Sequence, residues 1–214
     1  METQALAEAI KKLKAEAPKR KFTQSVDLII TLKDLNWKNP EEQVELFVAL
    51  PHGLGEKQKI CALVGPELME EAKKTMDETI LPDDYSKYDK RTTRKLARKY
   101  DYFIAQANIM NQIAAKFGRF FGPKGKMPNP KAGCIVPPKG NLKPTYDRLQ
   151  KTIKISSKKG PFIHARVGKE TLKEEELVDN IKTVYEQLAQ VLPKAENNIR
   201  NVYIKLTMSK PIKV

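Results

Sequence analysis

The hydrophobic pattern near both chain ends differs from the pattern in the middle, and this contrast constrains the fold most. Apolar and polar residues alternate over residues 26–32, 44–50, 162–167 and 202–208. This period of two is typical of strands with one buried and one solvent-facing side. A sheet built from such strands needs helices on one side only, so its other side is open.

The middle of the chain alternates strand and helix patterns instead. Residues 60–64 and 102–105 are short apolar runs, as expected for strands covered on both sides. Helical patterns follow around residues 86–100 and 108–117. Residues 121–143 are rich in Gly, Pro and Lys and predict a loop, and a short helix near residues 145–151 is expected to follow it. We therefore expect an inserted three-layer α/β domain.

The two ends are expected to fold together, because an isolated pair of strands is only marginally stable. The predicted fold is α+β with α/β, in two domains. A discontinuous α+β domain of residues 1–56 and 152–214 has an antiparallel sheet with one open face, and residues 57–151 form the insertion. Thr171 and Glu174 have the spacing of a capping box at the start of the last long helix.

The charge of the chain favours an anionic partner. The formal net charge is +14 and the pI is about 9.6, which fits nucleic acid or an acidic membrane surface. No acidic residue occurs between Asp101 and Asp147, and residues 87–99 hold seven cations and one acid. A solvated helix surface also explains a single run of cations. The long acid-free stretch is better explained by contact with phosphates.

Several functional classes lack support in the sequence. No apolar run reaches the roughly 18 residues of a membrane span, and the N-terminus lacks a signal-peptide core. Cys61 and Cys134 are far apart, which fits reduced thiols in the cytoplasm. The only histidines, His52 and His164, belong to no HxxxH or CxxC pattern. We expect no metal, no cofactor and no catalytic residue.

Two basic segments have the composition of nucleic-acid contacts. Residues 122–133, GPKGKMPNPKAG, combine three glycines with three lysines and suit phosphates, but a plain surface loop has the same composition. Residues 19–25, KRKFTQS, combine cations, an aromatic ring and hydroxyl groups. A connector with Phe22 in the core is the alternative for this segment.

The last alternating segment has an apolar set and a polar set. We expect the apolar set to face the core: Val202, Ile204, Leu206 and Met208. The polar set then places Lys205 and Thr207 on the open face, beside His164 and Arg166.

Six segments, in order, resemble the ribosomal protein L-one family. They are KFTQS (21–25), LPHGLG (50–55), GPKGKMPNPKAG (122–133), HARVGKE (164–170), ELVDNI (176–181) and VYIKLTMSKP (202–211). The resemblance spans essentially the whole chain. The RKFTQS form and the length resemble the archaeal branch of the family.

The resemblance implies a non-enzymatic protein of the large ribosomal subunit. It implies two domains joined by a hinge near residues 53–59 and 151–153. The implied partners are the 23S rRNA of the mobile stalk near the tRNA exit site, deacylated tRNA whose release is assisted, and the protein's own mRNA, which is repressed. The implied protein is cytoplasmic, ribosome-associated and monomeric when free, with no membrane partner.

The resemblance also implies which residues contact RNA. They are Lys21, Phe22, Ser25, His164, Arg166, Gly168, Lys169, Thr207, Met208 and Ser209. This chain departs from the family at two of these positions. Ser209 stands where the family commonly has Gly, and its side chain puts a close backbone contact in doubt. Arg166 stands where relatives often have Pro, and it adds a charge for phosphate.

Two other classes of function serve as alternatives. A DNA-binding architectural protein would prefer duplex DNA, although no helix-turn-helix or zinc module is apparent. An RNA- or nucleotide-processing enzyme would need clustered acids, which the acid-free stretch lacks. The charge surplus is larger in the middle domain, whereas the family places recognition in the terminal one. We expect the terminal domain to read RNA shape and 2′-OH groups, and the middle domain to supply attraction or meet another partner such as tRNA.

Overall fold

The computed structural model describes residues 3–18, 20–36, 39, 42–138, 140–157 and 160–214. It has a mixed α/β fold with several sheets. The chain divides into two compact units, residues 1–56 with 151–214, named the split unit, and residues 57–150, named the middle unit. That the two units are separate functional domains stays a prediction. No helix within the described ranges is long and apolar enough to cross a membrane.

The helices and strands follow one another in a fixed order along the chain. They are α1 (Thr3–Glu16), β1 (Ser25–Leu32), β2 (Glu45–Ala49), β3 (Ile60–Leu63), α2 (Met69–Thr75), β4 (Glu78–Ile80), α3 (Lys90–Lys99), β5 (Tyr102–Gln106), α4 (Met110–Phe121), β6 (Ile135–Val136), α5 (Leu142–Lys151), β7 (Thr152–Ser156), β8 (Phe162–Lys169), α6 (Glu174–Val191), β9 (Ile199–Leu206) and β10 (Ile212–Lys213).

The main sheet of the split unit is antiparallel, with strand order β10-β9-β1-β8. Every second residue of β1 is buried, and the residues between them are only partly covered. The buried set packs in one core with apolar residues of α1 and α6, among them Leu6, Leu13, Ile181 and Val184. The sheet therefore has a helix-covered face and a face that is open, as the alternating sequence predicts.

A second pair of strands, β2 and β7, belongs to the same core. The two strands run antiparallel, and Val48 and Ile155 are buried in that core. The loop after β2 is fixed to α6 by Asn180, which is fully buried. Its side-chain amide donates to the carbonyls of Gly53 and Val167, and its oxygen accepts from the backbone N–H of His52. The buried amide is thus fully used in holding residues 52 and 53.

The middle unit is built on a parallel sheet with strand order β4-β3-β5-β6. All four residues of β3 are buried, as expected for a parallel strand covered on both sides. Aromatic packing joins the sheet to α4, because the rings of Phe103 and Phe121 stack with centroids 4.1 Å apart. Leu96 and Ala97 of α3 complete this side of the core.

Two expectations about short elements were wrong. Residues 121–143 are not one loop, because they include the 3-10 turn Pro130–Ala132, strand β6 and the start of α5. A strand of two residues has no periodicity, so only its pairing with β5 reveals it. The capping box expected from Thr171 and Glu174 does not form either, because the residue before α6 is Lys173, whose side chain has no hydrogen-bond acceptor. Helix α6 begins at Glu174, and the Glu176 carboxylate accepts from the backbone N–H of Lys173, 3.1 Å away.

The end of the last long strand also differs from the expectation. Strand β9 stops at Leu206, and Thr207 and Met208 lie in a turn. The turn leads to β10, which the sequence pattern does not reveal because it has only two residues. Placing Met208 with the core-facing set was therefore wrong, since its side chain is 53% exposed.

Candidate nucleic-acid interface

Three segments that are distant in the sequence meet at one end of the open sheet face. They are the connector before β1, the end of β8 and the turn after β9. Gln24 joins all three and is 2% exposed. Its side-chain amide donates to the Pro18 carbonyl at 3.2 Å and its side-chain oxygen accepts from the backbone N–H of Met208 at 3.1 Å. Its own carbonyl accepts from the backbone N–H of Glu170.

Ser25 and Thr207 close the junction next to Gln24. The backbone N–H of Ser25 donates to the Thr207 hydroxyl at 3.1 Å, and the Thr207 N–H donates to the Ser25 carbonyl at 3.2 Å. The turn that carries Thr207 is thereby fixed against the start of β1. A hydroxyl has more than one hydrogen-bonding position, so Thr207 keeps capacity for a further partner.

Two apolar side chains project from this junction into solvent. Phe22 is 52% exposed and Met208 is 53% exposed. The alternative that places Phe22 in the core is therefore wrong. A large apolar side chain that remains exposed next to fixed polar groups is typical of a contact surface for a partner. Lys21, also exposed, lies next to Phe22 in the chain.

Ser209 has a structural use in the turn. Its hydroxyl accepts from the backbone N–H of Leu206 at 2.8 Å and lies 3.1 Å from the Lys210 carbonyl. The residue is half-buried. The side chain added at this position therefore folds back on its own turn, which leaves the neighbouring Met208 exposed.

The open face carries a row of three charges across the sheet. Asp27 of β1 lies opposite Arg166 of β8 on one side and opposite Lys205 of β9 on the other. Burial raises the pKa of the Asp27 carboxyl, and the nearby Lys205 and Arg166 only partly offset that rise. Lys205 and Arg166 thus share the open face, as expected, but they are not direct neighbours, because β1 separates the two strands.

Glu56 forms ion pairs with two of the residues that are predicted to contact phosphates. One of its carboxylate oxygens lies 3.0 Å from the Lys169 ammonium and 3.5 Å from the Arg166 guanidinium. Lys169 is the more covered of the two cations, at 19% exposure. The carboxylate occupies the position between the two cations that an anionic group of a ligand would also favour.

Phe162 and His164 form an aromatic pair farther along the open face. Of the two, only His164 was expected to be a site residue. Phe162 is 40% exposed, and its ring meets the ring of His164 edge to face at 5.2 Å. Tyr203 lies across the sheet, since both it and His164 pair with Ile29. The signal for Phe162 was present in the sequence, because an aromatic residue occupied the polar side of an alternating strand.

Gly168 differs from the other expected site residues because it is buried. A Cβ at this position would lie 2.6 Å from Leu172 Cδ1 and 2.7 Å from Leu177 Cδ2. A larger residue would displace the ends of the Leu172 and Leu177 side chains, which pack the loop and α6 against β8. A contact between Gly168 and RNA stays a prediction.

In the middle unit, the glycine-rich segment 122–133 offers fewer free cations than its composition suggests. Lys126 is half-buried and donates to the Tyr100 carbonyl at 2.6 Å. Burial lowers the pKa of its ammonium. Lys124 and Lys131 are exposed. The segment therefore does not present its three lysines together to one phosphate.

The described part of the chain offers little support for a metal site or a reactive thiol. Within these residues no three of the His, Cys, Asp and Glu side chains are grouped to hold a metal ion. Cys61 and Cys134 are buried free thiols. Burial raises the pKa of both, to about 11 for Cys134, so neither forms a reactive thiolate near neutral pH.

Known proteins similar to this chain are ribosomal. The family model described as the ribosomal protein L1p/L10e family matches residues 11–210. The large ribosomal subunit protein uL1 of Thermococcus kodakarensis is 40% identical over 214 residues, covering 99% of this chain and 97% of that protein. The uL1 proteins of Pyrococcus horikoshii (40%; 99% and 95% covered) and Methanocaldococcus jannaschii (37%; 100% and 96% covered) are similar over nearly their full lengths.

Proposed function

Because the chain belongs to the ribosomal protein L1p/L10e family, whose members are structural and not enzymatic, we propose that it binds large-subunit rRNA through the split unit. The observation that carries the proposal is the junction fixed by Gln24. There, exposed Phe22 and Met208 project beside the cations of the open sheet face.

The proposed interface divides the work between two kinds of contact. Cations at the edge of the open face, Lys21, Arg166, Lys169 and Lys205, contact phosphates and give affinity and register. Phe22 and Met208 pack on ribose or on an unstacked base. The hydroxyl groups of Ser25 and Thr207 face 2′-OH groups, which are absent from DNA. Together these contacts favour an irregular RNA fold over a regular duplex.

Phe162 and His164 extend the proposed interface along the sheet. Their edge-to-face geometry leaves the outer side of the Phe162 ring free for a base. Arg166 and Lys169 reach a phosphate by exchanging the Glu56 carboxylate for it. Each cation gives up its ion pair with Glu56 in this exchange. Its contact with a phosphate therefore adds less net affinity than the contact of an unpaired cation.

The proposed RNA is the stalk region of 23S rRNA near the tRNA exit site. We also propose that the protein assists the release of deacylated tRNA there and represses translation of its own mRNA. Support comes from the six family-like segments and from the similarity to uL1 proteins over nearly the whole chain. The protein is then cytoplasmic, ribosome-associated and monomeric when free.

The test compares three labelled nucleic acids of equal length across a salt series. They are a stalk rRNA fragment, a duplex RNA and a duplex DNA. We expect the stalk fragment to bind about 10³-fold more tightly than either duplex and to keep that margin as salt rises, since shape-specific contacts do not depend on counterion release. Equal binding of all three, lost together with salt, contradicts the proposal. Preference for duplex DNA supports an architectural DNA-binding protein instead.

A further inference from the structure

Helix α3 of the middle unit carries six exposed cations: Lys99, which pairs with Glu78, and a further five, Lys90, Arg91, Arg94, Lys95 and Arg98. We name these five residues the α3 surface. The opposite side of the helix is buried in the core through Thr93, Leu96 and Ala97. The helix itself contains no acidic residue, so its entire exposed side is positive.

The acids near the α3 surface are held mainly by other groups, although Asp89 also interacts electrostatically with Arg91. Asp89 caps the helix, since its carboxylate accepts from the N–H and the hydroxyl of Thr92, both at 2.7 Å. Glu78 pairs with Lys99 at 2.9 Å and also accepts from the Tyr100 hydroxyl. Among the residues that the structure describes, no ion pair within 4.0 Å involves the α3 surface.

This arrangement opposes the stability of the helix. Lys90 and Arg94, and Arg94 and Arg98, are like charges four residues apart, and each such pair costs roughly 0.2–0.5 kcal/mol. Cations in the first turn also oppose the helix dipole. A helix exposed only to water gains nothing from this pattern, whereas mixed charges give the same solubility without the cost. The pattern is therefore best explained by an anionic partner.

Helix α4 extends the positive surface and adds an aromatic floor. Lys116 of α4 and Lys90 line a shallow cavity of about 490 Å³, together with Tyr88, Phe120, Thr93 and the acid Asp89, whose carboxylate accepts from Thr92. The Arg94 guanidinium lies 5.8 Å from the Phe120 ring centroid, which restrains its position. A phosphate at the rim of this cavity meets cations from two helices.

The distribution of exposed apolar side chains discriminates between an RNA and a membrane. Among the described residues, the exposed large hydrophobic side chains are Phe22, Phe162, Val191 and Met208, all in the split unit. A helix that lies on a lipid surface must insert an apolar side. The apolar side of α3 is buried, so the α3 surface offers only charge to its partner.

The spacing of the charges fits a polymer of phosphates. Lys90, Arg94 and Arg98 follow one another at four-residue intervals along one side of the helix. At 1.5 Å per residue they form a line of about 12 Å. We propose that the α3 surface is a second RNA-binding surface, which takes the phosphodiester backbone without reading sequence. This inference goes beyond the proposed function, because it rests on none of the residues of the split unit.

The experiment uses the full chain and a triple variant, Arg91→Gln with Lys95→Gln and Arg98→Gln. Arg94 is kept because it contacts Phe120. The matched control removes three exposed cations of the split unit, with Lys11→Gln, Lys12→Gln and Lys194→Gln. Binding to a duplex RNA and to the stalk rRNA fragment is measured across a salt series.

We expect the α3 triple variant to flatten the salt dependence of duplex binding. Each lost phosphate contact lowers the slope of log affinity against log salt by roughly 0.7–0.9, so three contacts lower it by about 2–3. The control triple should leave the slope unchanged. The margin of the stalk fragment over duplex should survive in both variants, so a failure here differs from a failure of the proposed function.

Two further measurements keep the outcome decisive. Arg91→Lys with Arg98→Lys should bind like the wild type, since point charges suffice for phosphates. Vesicles with anionic phospholipids should bind the α3 triple variant and the control triple alike. The inference is overturned if the salt slope is the same in both triple variants, or if only vesicle binding depends on the α3 surface. Thermal unfolding should show the α3 triple variant at least as stable as the wild type, because repulsion within the helix is removed.

Discussion

The two units both present positive charge, but they combine it with different chemistry. The split unit combines the cations of its open face with exposed Phe22 and Met208, and the buried Gln24 fixes the turn that carries Met208. In the middle unit, the α3 surface is dense in charge, and its helix turns every apolar residue inward. The first combination suits one RNA shape, and the second suits any phosphate backbone.

In the proposed assignment, the unit with the larger net charge is not the unit that recognises a specific RNA. The larger surplus of cations lies in residues 59–150, with eighteen Lys and Arg against ten acids. The candidate specific interface lies in the split unit, where charges are partly balanced by Asp27 and Glu56. Charge gives attraction, whereas selectivity requires apolar and hydrogen-bonding groups held in a fixed geometry.

The largest expected effect breaks the split-unit interface directly. In the variant Phe22→Ala with Met208→Ala, each substitution should weaken binding of the stalk fragment by about 1–3 kcal/mol, because each removes a contact to ribose or base. Duplex RNA binding and its salt slope should not change. Equilibrium binding at two salt concentrations measures both quantities.

The control for this pair is Val191→Ala, which removes another exposed apolar side chain from α6 of the same unit. It should bind both RNAs like the wild type. If the Phe22 and Met208 variant loses equal affinity for stalk and duplex RNA, these two side chains do not give the split unit its preference for one RNA shape.

The next effect concerns the geometry that holds the interface. Gln24→Leu leaves the backbone N–H of Met208 and the carbonyl of Pro18 without their partner, which should lower the free energy of unfolding by about 1–3 kcal/mol. Binding of the stalk fragment should weaken even where the variant is fully folded. Urea unfolding and binding to the two RNAs measure these effects.

Gln24→Glu serves as a comparison, since a carboxylate keeps the acceptor for Met208 but loses the donor to Pro18. It should retain more of the stalk preference than Gln24→Leu. If both variants keep the full preference over duplex RNA, the junction does not position the RNA-binding turn.

We expect the smallest effect from substitution of Asp27, the acid within the open face. Asp27→Asn should strengthen RNA binding about fivefold, because a charge that repels phosphate is worth roughly 1 kcal/mol near 4 Å in water. Binding at constant salt near neutral pH measures this. A weaker complex would mean that the carboxylate accepts a hydrogen bond from the RNA.

The same variant carries a prediction for stability against pH. The pKa of Asp27 is raised in the folded protein, so the carboxyl favours folding below its ordinary pKa of 3.8 and that advantage is lost as pH rises through the raised value. The wild type should therefore lose stability relative to Asp27→Asn between about pH 3.8 and neutral pH. Urea unfolding of both proteins at several pH values measures the difference.

Six segments in order were enough to recognise the family in the amino-acid sequence, and hydrophobic periodicity predicted the long helices and strands. The alternation in β1 and β8 predicted which residues are buried, because a pleated strand turns successive side chains to opposite faces. The uneven distribution of charge and the basic helix α3 were also predicted, because charged residues can be counted along a sequence without knowledge of tertiary contacts. The long helices and strands were placed to within a few residues, whereas the short strands β4, β6 and β10 were missed.

Which candidate groups already have a partner depends on tertiary contacts. Lys126 is occupied by the Tyr100 carbonyl, Arg166 and Lys169 by Glu56, and Ser209 by its own turn. These partners are set by strand register and by the packing of distant segments. A local pattern contains neither, because it fixes the direction of a side chain and not the group that it meets. The role of Gln24 as the tie between three segments has the same origin.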